Sequence, residues 1–139
     1  MMVWILLKTC LNTLLSEGMP MGLVVVLDDE ADACRLMQRI ISAMGHEVHA
    51  FMDHHEALEW VRSYKPDLAV IDIKLHGASG LSVLQSIRQM RFPTKVIMVT
   101  GCPSEETAEE ARKIGAEDYL SKPLEIAEVE ERVKRALTQ

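Results

Sequence analysis

The stretch Leu68-Ala69-Val70-Ile71-Asp72 decides the fold, because four apolar residues run without a break and then end at a carboxylate. An unbroken apolar run that contains β-branched residues is typical of a strand buried on both faces of a sheet. Residues 73–80 contain two glycines and predict a loop. Asp72 is therefore predicted to lie where a central strand ends, at the edge where open parallel sheets bind ligands. A carboxylate that merely ends a strand is the alternative interpretation.

From Leu23 onward, the chain alternates predicted strands with predicted helices. Apolar or alternating runs predict strands, and the segments between them carry apolar stripes at helical spacing. Five such units predict an α/β fold, a doubly wound parallel sheet of five strands with helices on both faces. The predicted strands are 23–27, 47–51, 68–72, 94–100 and 117–121, and the predicted helices are 30–44, 57–64, 81–90, 105–115 and 125–137.

The first and last of these helices carry stripes that we expect to be buried against the sheet. Asp53, Ser79 and Ser104 are expected to cap the second, third and fourth helices. The expected buried residues are Ala33, Met37, Ile40, Ile41 and Met44 in the first helix, and Ile126, Val129, Val133, Ala136 and Leu137 in the last.

A chain of 139 residues is predicted to form one domain with a full core. Its hydrophobic content of 48% and charged content of 26% are those of an ordinary soluble globular protein. The net charge of -6 argues against attraction to anionic membranes. It also argues against a nucleic-acid-binding module, which normally presents a basic face, so we expect no direct contact with nucleic acid.

Cysteine and histidine usage predicts neither a disulfide framework nor a histidine metal site. The three cysteines are odd in number and widely spaced, which is typical of reduced thiols in a cytoplasmic protein. His46 with His49, and His54 with His55, lack an acidic or cysteine partner at ligand spacing. The cysteines are Cys10, Cys34 and Cys102.

Residues 1–22 form an N-terminal extension ahead of the predicted domain at 23–139. The apolar run at 3–7 is too short to span a bilayer, and its flanking residues do not match a signal peptide. Two interpretations stay open, an over-long gene start and an amphipathic helix that packs on this domain or on a second copy in a homodimer. The apolar residues at helical spacing are Trp4, Leu7, Leu11 and Leu14.

The charged and polar residues at the ends of the predicted strands suggest a reactive site. Because the carboxyl ends of parallel strands lie along one edge of a sheet, we expect these side chains to converge. Neighbouring carboxylates repel one another, and oxygen ligands suit a hard divalent cation, Mg²⁺ first. A lysine and a hydroxyl beside such a cluster suit a phosphoryl group. The residues are Asp28 and Asp29 after strand one, Asp72 in strand three, Thr100 in strand four, and Lys122 after strand five.

In this order, the residues resemble those of a receiver domain of the two-component response-regulator family, which includes single-domain chemotaxis regulators. The resemblance covers about residues 23–138. It rests on the acidic pair, on Asp72 after an apolar strand, on Thr100 before Gly101, and on the segment 119–123. It implies the flavodoxin-like strand order 2-1-3-4-5 and a signalling switch, not a metabolic enzyme.

By position, the resemblance implies a role for each residue of the acidic cluster. Asp72 matches the phosphoacceptor, which takes a phosphoryl group from a histidine kinase or a phosphotransfer protein. Asp28, Asp29 and Asp72, with the backbone carbonyl of Lys74, match the ligands of Mg²⁺. Lys122 matches the lysine that pairs with the phosphoryl oxygens.

The resemblance also implies a switch that a downstream protein target reads. Thr100 matches the hydroxyl that turns toward the phosphate, and Tyr119 matches the aromatic residue whose rotamer follows it. The Lys122–Pro123 bond matches a position that is usually cis in the family. Ordinary structural roles remain as alternatives, such as helix capping by Asp28 and packing for Tyr119.

Three positions depart from the family pattern. Lys74 stands two residues after Asp72, where its side chain can reach over the phosphoryl site and change how water approaches. His76 stands near the position where the family often has proline, which leaves the geometry of this loop open. Cys102 stands two residues after Thr100.

Three other functions stay open at this point. A Mg²⁺-dependent phosphohydrolase with an aspartyl-phosphate intermediate commonly has a second aspartate where this chain has Lys74. A flavin mononucleotide carrier needs a phosphate-binding loop after the first strand, where this chain has carboxylates. A degenerate receiver that acts as a fixed binding module is the third.

Overall fold

The computed structural model describes residues 21–138, so both interpretations of the N-terminal extension concern residues that lie mostly outside the described ones. Five parallel strands form one sheet: β1 (Leu23–Leu27), β2 (Glu47–Phe51), β3 (Leu68–Asp72), β4 (Lys95–Thr100) and β5 (Asp118–Ser121). Five helices alternate with them: α1 (Ala31–Ala43), α2 (His54–Tyr64), α3 (Gly80–Gln89), α4 (Glu105–Ile114) and α5 (Ile126–Thr138). The strand order β2-β1-β3-β4-β5 confirms the predicted flavodoxin-like sheet.

The central strand β3 is the apolar stretch that the sequence singled out. It pairs in parallel with β1 on one side and with β4 on the other. All five of its residues are buried. A buried valine, leucine or isoleucine side chain contributes about 1.5–3 kcal/mol relative to an exposed one. The strand therefore anchors the sheet, and its last residue, Asp72, is held at the carboxyl edge.

Successive strand residues fill two separate cores, because side chains alternate between the faces of a sheet. Helices α1 and α5 cover one face, and α2, α3 and α4 cover the other. In β3, Leu68 and Val70 point to the first core, while Ala69 and Ile71 point to the second. None of the helices within residues 21–138 has the length and hydropathy that a bilayer crossing requires.

Side-chain caps start three of the helices, as the sequence predicts. Asp53 accepts a hydrogen bond from the Glu56 N–H at 3.0 Å, so α2 begins at His54, three residues before its predicted start. Ser79 caps α3 and Ser104 caps α4 in the same way.

Three details of the sequence prediction are wrong. Ile126 is 57% exposed, because it is the first residue of α5 and the buried stripe begins one turn later at Val129. In α1 Ala33 is half-buried, and its neighbour Cys34 joins Met37, Ile40 and Ile41 as a buried residue. The predicted loop at 73–80 contains a short antiparallel hairpin of Lys74–Leu75 and Ala78–Ser79, which we call the β3 hairpin.

Close backbone packing at Gly80 fixes the β3 hairpin against the end of β3. The Gly80 N–H donates to the Ile73 carbonyl, at 2.6 Å. A Cβ added to Gly80 would lie 2.1 Å from the Asp72 carbonyl oxygen and 2.7 Å from the Ile73 Cα. Both neighbours are backbone atoms, so only glycine fits this position. The cis Lys122–Pro123 bond that the resemblance implies is present at the same edge of the sheet.

We expect the substitution Gly80→Ala to lower the free energy of unfolding by about 3 kcal/mol, because backbone must move to admit the new methyl group. Urea denaturation measures the change. Gly101→Ala is the control, since its Cβ would meet only the Lys122 side chain at 4.0 Å. Equal stability of the two variants would contradict the close packing.

Buried His46 makes stability depend on pH. His46 is 6% exposed, its Nδ1 accepts from the Gly22 N–H at 2.9 Å, and its Nε2 has no partner among residues 21–138. Burial lowers the pKa of its imidazole, although the charge of Asp67 opposes the shift. As the pH falls through about 6.5, the unfolded chain therefore takes up a proton at this residue more readily than the folded chain does.

We expect the free energy of unfolding to fall as the pH is lowered from 7 to 5, and to fall less steeply in His46→Asn. Asparagine keeps an acceptor for the Gly22 N–H but does not titrate in this range. Urea denaturation at several pH values provides the comparison. Parallel pH profiles for the two proteins would show that His46 does not cause the dependence.

Candidate functional site

Strand ends bring three carboxylates together at the carboxyl edge of the sheet. Asp28 and Asp29 directly follow β1, and Asp72 ends the neighbouring strand β3. One carboxylate oxygen from each residue lies within 4.8 Å of those of the other two. Asp28 and Asp72 are buried, and Asp29 is half-buried. The parallel arrangement of the strands accounts for this convergence. We call these three residues the acidic cluster.

Backbone hydrogen bonds orient the two buried carboxylates. The Asp28 N–H donates to the Phe51 carbonyl at 3.1 Å, which extends the pairing of β1 with β2 by one residue. Oδ1 of Asp28 accepts from the Glu30 N–H at 2.9 Å, and Oδ1 of Asp72 accepts from the Lys74 N–H at 3.2 Å. In both residues the second oxygen, Oδ2, is then directed toward Lys122.

Lys122 follows β5 and supplies the positive charge beside the acidic cluster. Its Nζ lies 3.0 Å from Oδ2 of Asp28 and 3.0 Å from Oδ2 of Asp72. Its backbone N–H donates to the Thr100 carbonyl at 2.7 Å, which ties it to the end of β4. A further carboxylate, that of Glu30, lies 3.2 Å from Nζ on the solvent side.

Burial and charge act in opposite directions on these groups. Burial raises the pKa of the Asp28 carboxyl and the charge of Asp72 adds to the effect, while hydrogen bonds from Glu30 and Lys122 reduce it. Burial lowers the pKa of the Lys122 ammonium, but its bonds and attraction to the two aspartates outweigh burial and raise it above its ordinary value. One lysine therefore faces an excess of negative charge, which suits a further cation.

Asp29 is held by the β3 hairpin. Its Oδ2 accepts from the His76 N–H at 2.9 Å, and Nε2 of His76 lies 3.5 Å from the same oxygen. A proline at this position has no N–H and could not make the backbone bond. The departure at His76 therefore adds a contact between the hairpin and the acidic cluster.

The two predicted switch residues lie on the neighbouring strands β4 and β5. Thr100 is buried, and its Oγ1 accepts from the Cys102 N–H at 3.0 Å. Tyr119 is half-buried, and its hydroxyl lies 2.8 Å from Oγ1 of Thr107 in α4. Thr100 faces the acidic cluster across a cleft of about 380 Å³, while the Tyr119 hydroxyl contacts the start of α4. The residues that line the cleft include Asp29, Asp72, Lys74, Thr100, Cys102 and Lys122.

Sequence reasoning missed one residue of this site and one contact. Glu30 was assigned only to the start of a helix, although it continues the acidic run of Asp28 and Asp29. That run was the available signal. The contact of His76 with Asp29 had no sequence signal, because it depends on how the hairpin folds back over the edge of the sheet.

Comparison with known families agrees with the geometry. The family model of the response regulator receiver domain matches residues 24–134 of this chain. The chain belongs to the response regulator receiver domain family. Receiver domains are signalling switches of two-component systems, and the resemblance inferred from the strand ends is thereby confirmed.

Relatives of this receiver domain include bacterial regulatory proteins. It is 33% identical over 114 residues to the alkaline phosphatase synthesis transcriptional regulatory protein PhoP of Bacillus subtilis, with 82% of this chain and 48% of PhoP covered. It is 34% identical to the regulatory protein VanR of Enterococcus faecium, with 82% and 49% covered. It is 32% identical to the transcriptional regulatory protein ZraR of Salmonella typhimurium, with 82% and 26% covered. The chain thus spans between about a quarter and a half of these relatives.

Solved receiver domains share the fold. A CheY-like response regulator receiver domain protein from Methanospirillum hungatei is 28% identical, with a TM-score of 0.81 over 85% of this chain and 94% of that one. The receiver domain of NtrX from Brucella abortus is 33% identical, with a TM-score of 0.79 over 84% of this chain and 98% of that one. The likeness therefore extends over nearly the whole of each domain.

We expect Lys122→Met to lower the free energy of unfolding at pH 7, without divalent cations, by about 3 kcal/mol, because Asp28 and Asp72 stay buried without their counter-charge. Urea denaturation in the presence of a chelator measures the loss. Lys113→Met is the control, since that side chain is 76% exposed in a surface ion pair and should change stability by less than about 1 kcal/mol. Equal losses in the two variants would contradict the role of Lys122.

Proposed function

We propose that this receiver domain is a phosphoacceptor of a two-component phosphorelay and that Asp72 takes the phosphoryl group. The observation that carries the proposal is the Asp72 carboxylate, which is buried at the end of β3, 3.0 Å from the Lys122 ammonium and beside two further carboxylates. The donor is the phosphohistidine of a histidine kinase or of a phosphotransfer protein.

We propose Mg²⁺ as the cofactor, held by the acidic cluster and by the backbone carbonyl of Lys74. The donor set supports this assignment, because three carboxylates with one neighbouring lysine leave negative charge uncompensated and offer only oxygen ligands. When bound, the ion neutralises charge on the phosphoryl oxygens. Burial raises the pKa of Asp28 and the charge of Asp72 adds to the shift, so a bound cation would favour its charged form.

In the proposed transfer, a carboxylate oxygen of Asp72 forms a bond to phosphorus while the bond between phosphorus and the donor histidine nitrogen breaks. The electron pair of that bond leaves with the imidazole. Lys122 stabilises the charge on the phosphoryl oxygens, and the Thr100 hydroxyl donates a hydrogen bond to them. Water later cleaves the acyl phosphate and regenerates Asp72. The exposed side chain of Lys74 lines the cleft and stands where it influences the approach of that water.

The proposed output is a change in the face formed by Thr100, Tyr119 and α4, which a downstream protein target reads. A second copy of the chain is one candidate for that target. The proposal includes no direct contact with nucleic acid, in keeping with the net charge of -6. A cytoplasmic location remains a prediction from the cysteine pattern.

Two alternatives are weaker on specific observations. A phosphohydrolase would need a second carboxylate acting as general acid and base two residues after the nucleophile, and Lys74 occupies that position. A fixed binding module does not require a buried aspartate paired to a lysine, which is the costly arrangement present here.

We expect Asp72→Asn to abolish labelling by acetyl phosphate in the presence of Mg²⁺, because an amide oxygen cannot form the acyl phosphate. Intact mass spectrometry measures the added phosphoryl group. Asp53→Asn is the matched control, since Asp53 is an exposed helix cap and asparagine caps equally well.

Wild type and the control should label only with Mg²⁺ present, and none of the three proteins should turn over a phosphomonoester. Undiminished labelling of Asp72→Asn would overturn the assignment. Catalytic turnover of the phosphomonoester by the wild type, lost in Asp72→Asn, would favour the phosphohydrolase.

A further inference from the structure

The loop between β4 and α4, residues 101–104, is held at both ends by side-chain hydroxyls. At its start, Oγ1 of Thr100 accepts from the Cys102 N–H at 3.0 Å. At its end, the Tyr119 hydroxyl accepts from the Ser104 N–H at 3.3 Å. The two hydroxyls that the proposed function assigns to switching therefore contact the same short loop.

Thr107, in the first turn of α4, completes the hydrogen bonding of the Tyr119 hydroxyl. Its Oγ1 lies 2.8 Å from the Tyr119 hydroxyl and 2.8 Å from Oγ of Ser104. The same Oγ of Ser104 caps α4 by accepting from the Thr107 N–H at 3.1 Å. The Tyr119 and Thr107 hydroxyls share one hydrogen bond in which either can be the donor, and the Ser104 N–H occupies a further lone pair of the phenol oxygen.

The Tyr119 side chain packs against the second core but is not fully enclosed. Tyr119 lies on β5, an edge strand of the sheet, and its side chain is half-buried against the second core. A half-buried aromatic side chain at an edge has room for more than one staggered rotamer. Its hydroxyl contacts therefore add to packing in favouring the observed rotamer.

We propose that Thr107 is a positioning residue, which holds the Tyr119 hydroxyl against the Ser104 N–H in the resting protein. The role of Tyr119 as a switch rests on the proposed function, whereas the contact with Thr107 does not. When Thr100 turns toward a phosphoryl group, the Cys102 N–H loses its acceptor and loop 101–104 is released at its start. Tyr119 then leaves Thr107, which frees the other end of the loop.

The test compares Thr107→Val with Thr107→Ser in a Tyr64→Phe background, where Tyr119 is the one tyrosine of the chain. Valine keeps the branched shape and a similar helix propensity but removes the hydroxyl, while serine keeps the hydroxyl. Incorporated 3-fluorotyrosine reports the surroundings of Tyr119 by fluorine NMR, in metal-free protein without a phosphodonor.

We expect Thr107→Val to shift the ratio of Tyr119 orientations about fivefold away from the resting one, because a neutral hydrogen bond is lost. Thr107→Ser should keep the wild-type resonance. A wild-type resonance in Thr107→Val would overturn the proposal. Equal displacement in both variants would also overturn it, since it would indicate repacking of α4 and not loss of the hydroxyl.

A second measurement separates this inference from the proposed function. If the contact stabilises the resting state, its loss populates the alternative state more, and we expect Thr107→Val to reach half-maximal steady-state phosphorylation at a lower acetyl phosphate concentration, by up to about fivefold. Unchanged donor dependence in Thr107→Val, with normal labelling of the wild type, would contradict the coupling of Thr107 to switching. Absence of labelling in every protein, wild type included, would refute the proposed function, and the fluorine resonances would still decide whether Thr107 positions Tyr119.

Discussion

The ion pair of Lys122 with two buried carboxylates is the interaction on which the rest of the site depends. Asp28 and Asp72 are carried to the same place by adjacent parallel strands, where their charges repel and burial penalises them. The Lys122 Nζ lies 3.0 Å from a carboxylate oxygen of each residue, and its positive charge stabilises their ionised forms. Such an arrangement contributes little to stability compared with apolar packing, so a chemical role explains its presence better than a folding role does.

The apolar cores on the two faces of the sheet hold its carboxyl edge in place, although that edge buries charged groups. Strands β1, β3 and β4 are buried on both faces, so their ends are fixed by packing over their whole length. Loops that begin at these rigid strand ends leave their side chains little conformational freedom. Gly80 lies at this edge, where a Cβ would meet the backbone of Asp72 and Ile73, and the cis Lys122–Pro123 bond lies there too. The site is therefore a product of strand packing, although most of its residues are polar.

Much of the fold was predictable, because burial on both faces leaves a simple signature in sequence. The run 68–72 matched β3 residue for residue, and the parallel order of the strands followed from the family resemblance. Errors occurred at element ends, where periodicity carries little information. Ile126 continues the apolar spacing of α5 but stands before its first buried turn, and Cys34 replaces Ala33 on the inner face of α1.

By itself the sequence determined which residues reach the carboxyl edge, because each of Asp28, Asp72 and Thr100 stands directly at the end of an apolar strand. Tertiary structure alone decided which of their neighbours touch. The contacts of Glu30 with Lys122, His76 with Asp29 and Thr107 with Tyr119 join residues from different elements. The distances between these residues depend on how the loops and helix ends pack over the sheet. Strand periodicity is a local property of the chain, whereas these contacts depend on the relative placement of whole elements.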